Sequence, residues 1–319
     1  MALLDAFFGN HREGRSPESE AAIAWAVERV EPMLKWAGGY PDRYRKPVAH
    51  ALDYARALAA RVPGPLVIGA ESYVTDPLVH ALFASPDKLC LAVDASRAMK
   101  AFFQAHPDAA EVYAMVAVRR MAKARFGLEM DGEILRRDVR QEVVYFTDHT
   151  VAEPGLTEAE ARQRIARGLF ESLIGHVAKR IEARKQGKQA LEQERDELLG
   201  RLRTATAEQR GELEQTLQST LARLAESVAS LDLGRYPEDF DAVLLEPEKY
   251  LFLEQTEINL DSMGIIRQPE AAGSNEVVFC DLIGRDRRRW TVTLIYCDHV
   301  KNRGSITDRL ANAQRWLGL

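Results

Sequence analysis

The sequence predicts an α+β protein, predominantly helical, in which a long antiparallel, coiled-coil-like helical hairpin accompanies a small antiparallel sheet with a C-terminal helix. Three observations carry this expectation. Residues 158–231 hold no proline and are rich in Ala, Glu, Leu, Arg and Gln, which are strong helix formers. Within them Leu213, Leu217, Leu221, Leu224, Val228 and Leu231 recur at intervals of 4, 4, 3, 4 and 3, the spacing of a coiled-coil seam. Glu276–Ile283 and Arg289–Cys297 alternate at period two on either side of a polar loop, as paired strands do.

Composition bounds the rest. The chain has 319 residues, 46% of them hydrophobic and 29% charged, with a formal net charge of −5. That length allows about two domains and a core that needs no metal or disulfide staple. The negative balance argues against a coat for nucleic acid or anionic membrane, and no run approaches the ~20 apolar residues of a membrane span. Three cysteines, Cys90, Cys280 and Cys297, show no CxxC spacing, so a reduced, cytoplasmic protein is expected. The opening MALLDAFFGNHREGR has no basic stretch ahead of its apolar residues, so it does not read as a secretory signal. Composition shifts divide the chain into a helical part with a β-hairpin near 128–147 (1–157), the helical hairpin (158–231) and a small α+β part (232–319).

Within 1–157, Ser16-Pro17 starts a helix whose stripe is Ile23, Val27, Val30 and Leu34, with a restart expected at Pro32. A second helix over about 46–62 carries Val48, Leu52, Ala55, Leu58 and Val62, and Pro63-Gly64-Pro65 stops it. Asp76-Pro77 and Ser85-Pro86 each pair a capping side chain with a first-turn proline and so start short helices. A longer helix is expected over Asp108–Phe126. Asp131-Gly132 signals a hairpin between Leu128–Met130 and Glu133–Arg136, and the alternation from Val139 to Phe146 suggests a further strand.

In 158–231, Leu169, Leu173, Val177 and Ile181 form the incoming stripe. Thr206 with Gln209 has the form of a capping box, which places the break between the two helices near Thr204–Gly211. Beyond, Asp239–Glu246 is a short helix, Tyr250–Leu260 a strand, and Ser305–Leu317 the closing helix. If the register of the two strands centres near Asp286, Cys280 and Cys297 sit about two residue pairs apart and form no bridge.

Candidate chemistry is sparse. Asp148-His149 and Asp298-His299 each close a predicted strand, and such residues hold metals or serve as a base and its orienter. Neighbours on a strand point to opposite faces, so a site requires the two pairs to meet in space. Arg285, Arg287, Arg288 and Arg289 crowd one loop and match phosphate oxygens in geometry, although aspartates lie close by. The chain has no GxxxxGK[ST], GxGxxG, GxSxG or HExxH. The sequence therefore reads as a non-enzymatic interaction protein, needing no cofactor, whose helical hairpin meets a protein partner or a second copy through Leu213, Leu217, Leu221, Leu224, Val228 and Leu231. A metal-dependent hydrolase and a phosphate or nucleic-acid binder are the alternatives.

Overall fold

The computed structural model describes residues 17–297, apart from 37, 132, 133, 270 and 272. The chain divides into two units, each assembled from two separated stretches: residues up to Ala55 with Leu169–Tyr250, and Arg56–Gly168 with the chain from Leu251 onward. The three parts read from composition are contiguous in sequence; these units are not.

The first unit is helical. α1 (Pro17–Val30) begins on proline and ends before Pro32, where a 3-10 turn over Pro32–Trp36 takes over. The missing N–H of Pro32 accounts for that restart. α2 (Asp42–Ala60) starts earlier than expected and takes Pro47 inside. Its stripe of Val48, Leu52, Ala55 and Leu58, with Val62 beyond its end, is buried as the spacing requires. α7 (Glu158–Thr204) and α8 (Ala207–Ser230) form the expected helical hairpin, followed by α9 (Tyr236–Leu244). Gln209 Oε1 accepts from Thr206 N at 3.5 Å at the start of α8, where the capping box was read. Tyr44 on α2 meets Phe240 on α9 edge to face, ring centres 4.9 Å apart.

The second unit is a sheet with small helices. Its strands are β1 (Leu66–Val67), β2 (Val112–Asp131), β3 (Ile134–Gly155), β4 (Leu251–Asp261), β5 (Ser274–Gly284) and β6 (Arg289–Cys297). The order is β3-β2-β6-β5-β4, antiparallel throughout, with β1 alongside β6 in parallel. Between β1 and β2 run α3 (Ala70–Thr75), α4 (Pro77–Leu82), α5 (Pro86–Ala95) and α6 (Arg97–Ala105). Asp76 accepts from Leu78 N and Val79 N, and Ser85 from Lys88 N, the two caps that the sequence signals. The sheet is larger than the small one expected. The closing helix at 305–317 lies outside the described residues.

The helix expected over Asp108–Phe126 is instead most of β2. Ala, Met, Arg and Lys favour helix intrinsically, yet Val112, Ala114, Val116 and Val118 are fully buried at period two. Tyr113, Met115 and Ala117 on the other face are apolar as well, and a strand flanked on both sides reads as a continuous apolar run rather than an alternating one. Asp131 pairs with Ile134, and the ladder continues to Tyr113 opposite Gly155. Three times β3 takes one more residue than β2, and each time an acidic residue adopts positive φ: Asp138 (58°), Asp148 (55°) and Glu153 (55°). These bulges bend the long ribbon and raise its twist.

The connection after β4 bonds to both ends of the strand order. Leu260 bridges Ile266, Ile265 bridges Val143 on β3, and Val144 N donates to Gly264 O at 2.8 Å. The two outer strands are thus covered over part of their length. Gly264 has φ +73, and a Cβ there would lie 2.6 Å from Val144 O. Arg162, on the first turns of α7, donates to Ala59 O and Val62 O at 2.9 Å, capping the last carbonyls of α2.

Candidate functional site

α8 returns antiparallel along α7. Thr220 Oγ1 donates to Glu194 Oε1 at 2.8 Å, and Arg184 Nη1 donates to Ser230 O at 2.8 Å. The hairpin is anchored at its base. Arg184 and Arg180 pair with the buried Asp239, Arg184 lies over the Tyr236 ring at 5.4 Å, and Lys185 pairs with Glu31 at 2.8 Å. Burial lowers the Arg184 pKa, and the hydrogen bond that Lys185 donates to Glu31 raises that of Lys185. Arg184 and Lys185 are thus the root of the arm.

Beyond that root the arm is thinly packed. Between Glu182 and Ser230 only Leu198 and Thr220 are buried. Of the seam, Leu213, Leu217, Leu224 and Leu231 are half-buried, whereas Leu221 and Val228 are 45% and 51% exposed. Ala222, Ala225 and Ala229 are exposed with them. The exposed set, 221, 222, 225, 228 and 229, follows the i, i+1, i+4, i+7, i+8 pattern of a face that helices bury. The coiled-coil spacing therefore splits in two: one flank lies towards α7 and the other faces outward.

The other residues singled out in the sequence are placed as follows. Asp148 sits in a β3 bulge and pairs with Arg119 at 3.3 Å, while His149 Nε2 lies 2.7 Å from Leu82 O, its ring stacked on Phe83. The two side chains are held by different partners. Asp298 and His299 lie outside the described residues. Among the described residues, no three His, Cys, Asp or Glu side chains are grouped as metal ligands would be. In the Gly284–Arg289 loop, Arg287 takes φ +59, Arg288 pairs with Asp286 at 3.1 Å, and Arg289 pairs with Glu254 at 2.6 Å. Arg285 also has an interaction partner. Cys280 and Cys297 are buried thiols outside any disulfide, and burial, with help from Asp281 and against Arg61, pushes the Cys280 pKa up.

One site escaped the sequence reading. Asp281 on β5 is fully buried and accepts from Arg120 Nη2 on β2 at 2.6 Å and from Thr291 Oγ1 on β6 at 2.7 Å. Arg120 also lies 5.1 Å over the Phe279 ring. Three strands converge on one carboxylate, from positions as far as 161 residues apart. No local spacing signals such a meeting.

Compared with protein-family models, curated proteins and solved structures, the chain matches none. No helix among the described residues is long and apolar enough to cross a membrane.

Proposed function

We propose that the protein is a non-enzymatic interaction protein that self-associates through the outward face of α8. The observation that carries this reading is the exposed row Leu221, Ala222, Ala225, Val228 and Ala229 on a hairpin already rooted by Arg184 and Asp239. An amphipathic face of this kind gains by leaving water, and its alanines let a second helix approach to about 8–10 Å. A second copy is the occupant: a two-fold pairing sets the same apolar row of each copy against the other, the isologous arrangement of most dimers. The two alternatives draw less support. Asp148 and His149 are engaged separately, and the arginine loop is largely matched by carboxylates.

Light scattering tests this directly. The wild-type chain is expected to be a dimer at about 100 μM, a concentration that reveals even micromolar association. Leu221→Asp with Val228→Asp is expected to give a monomer of unchanged helix content. Leu217→Asp, on the inward flank, is expected to loosen the hairpin itself and lower its melting temperature. A wild type that stays monomeric throughout, or a double variant that still dimerises, overturns the proposal.

A further inference from the structure

We infer that the second unit holds a binding site for an organic anion with a flat aromatic body. The site is a cavity of about 680 Å³ between α3–α4, the β2–β3 ribbon and the turn after β4. That volume suits a small molecule. Its walls are mixed: Tyr73, Tyr145 and Phe146 keep part of their surface open, above the buried Phe83, Leu260 and Val277. Rings of this kind accept a planar ligand in offset or edge-to-face contact.

The charge of the walls selects the ligand. Two carboxylates line the cavity and both are occupied by the protein itself. Asp76 caps α4 through Leu78 N and Val79 N. Asp261 accepts from Met263 N and Ile265 N and pairs with Arg267. Among the described residues the two cations are not matched in this way. Lys123 and Arg125, two residues apart on one face of β2, both line the cavity. Lys123 Nζ rests 5.1 Å from the Tyr145 ring centre, and Arg125 Nε is buried without a hydrogen-bond partner among the described residues. Lys123 is exposed and Arg125 half-buried, so an anion in the cavity meets both charges.

His80 builds the wall rather than binding. Its Nδ1 lies 3.4 Å from Tyr73 O and its Nε2 3.1 Å from Ser262 O, so the imidazole ties α4 to the turn after β4. The cavity is therefore framed by the same connection that links the two ends of the sheet.

The test uses two fluorescent probes of the same aromatic body. 8-Anilinonaphthalene-1-sulfonate carries an anion, and N-phenyl-1-naphthylamine does not. The full chain is expected to bind one sulfonate probe, at least about tenfold tighter than the amine, the gain a charge-assisted contact supplies. Lys123→Gln with Arg125→Gln is expected to abolish that preference while leaving the amine's affinity within about twofold. Should the double variant lose its fold by circular dichroism, Lys123→Gln alone, at an exposed position, is expected to weaken the sulfonate by about threefold. Equal affinity of the wild type for both probes, no saturable sulfonate site, or wild-type sulfonate affinity in a folded variant each overturns the inference.

Discussion

β2–β3 pairs strands of 20 and 22 residues, and α7–α8 pairs helices of 47 and 24. Both are long antiparallel hairpins, and they are secured by opposite means. The β ribbon is tied by a backbone ladder interrupted at its three bulges and continues into a sheet whose interior holds a buried ion pair. The helical arm satisfies its backbone within each helix, so its two halves are joined by side chains alone, two of them buried. Polar contacts in the two settings therefore carry different weights. In the sheet, Asp281 is 0% and Arg120 12% exposed, and Asp281 also lies 3.6 Å from Arg289 Nη1. On the arm, Glu194 meets Arg223 at 3.6 Å with both side chains open to water, and such pairs contribute little.

The largest expected effect follows from that contrast. Asp281→Ala leaves the Arg120 guanidinium and the Thr291 hydroxyl without their acceptor, and is expected to cost about 3–5 kcal/mol in denaturant unfolding. Arg223→Ala on the arm, which breaks only the exposed pair with Glu194, is expected to cost about 1 kcal/mol or less in the same experiment. Similar losses at the two sites would erase the distinction between the hairpins.

Gly264→Ala comes next. With φ +73 and Val144 O 2.6 Å from the new Cβ, the turn that bonds β3 has no room for it. A loss of about 2 kcal/mol is expected, with faster hydrogen exchange at Val144 and Ile266. Unchanged exchange at both amides would show that the connection does not hold the ends of the sheet.

The smallest effect lies in the first unit. The Tyr44 hydroxyl is buried without a hydrogen-bond partner among the described residues, and burial, aided by Asp241 and opposed by Arg43, pushes its pKa up to about 12. The folded value stands above the ordinary one near 10. Stability is thus fully present below about pH 10 and is lost as pH rises towards 12. Tyr44→Phe is expected to raise stability by up to about 1 kcal/mol at neutral pH and to flatten the alkaline decline, as melts at both pH values report. A variant with the wild-type alkaline slope removes Tyr44 as its source.

The helical arm was legible from Leu213 to Leu231 because helix periodicity, a proline-free stretch and the Thr206–Gln209 cap agree with one another. The register of β5 against β6 was equally legible: Asp281 opposes Thr291, centring the pair on Asp286. β2 was not, because Val112–Val118 is apolar on both faces while its composition is that of a helix. The outward flank of α8 shared its spacing with the inward one, and only solvent exposure separates Leu221 from Leu217. Arg120 and Asp281 were illegible for a different reason. Each looks like an ordinary surface charge until the sheet brings them together. The wall around Lys123 and Arg125 likewise draws on three distant stretches, none of which carries a signature alone.

The order in which the strands leave the ribosome sets a constraint on assembly. β6 lies in the middle of the sheet, between β2 and β5, yet among the described residues it is the last strand to be synthesised. The whole helical arm is made between β3 and β4. During translation the β2–β3 ribbon therefore waits, one side unpaired and its valines wet, until more than a hundred further residues have emerged. The nascent ribbon is an open template for that interval, and its arginines and lysine are well placed to discourage pairing with a neighbouring chain.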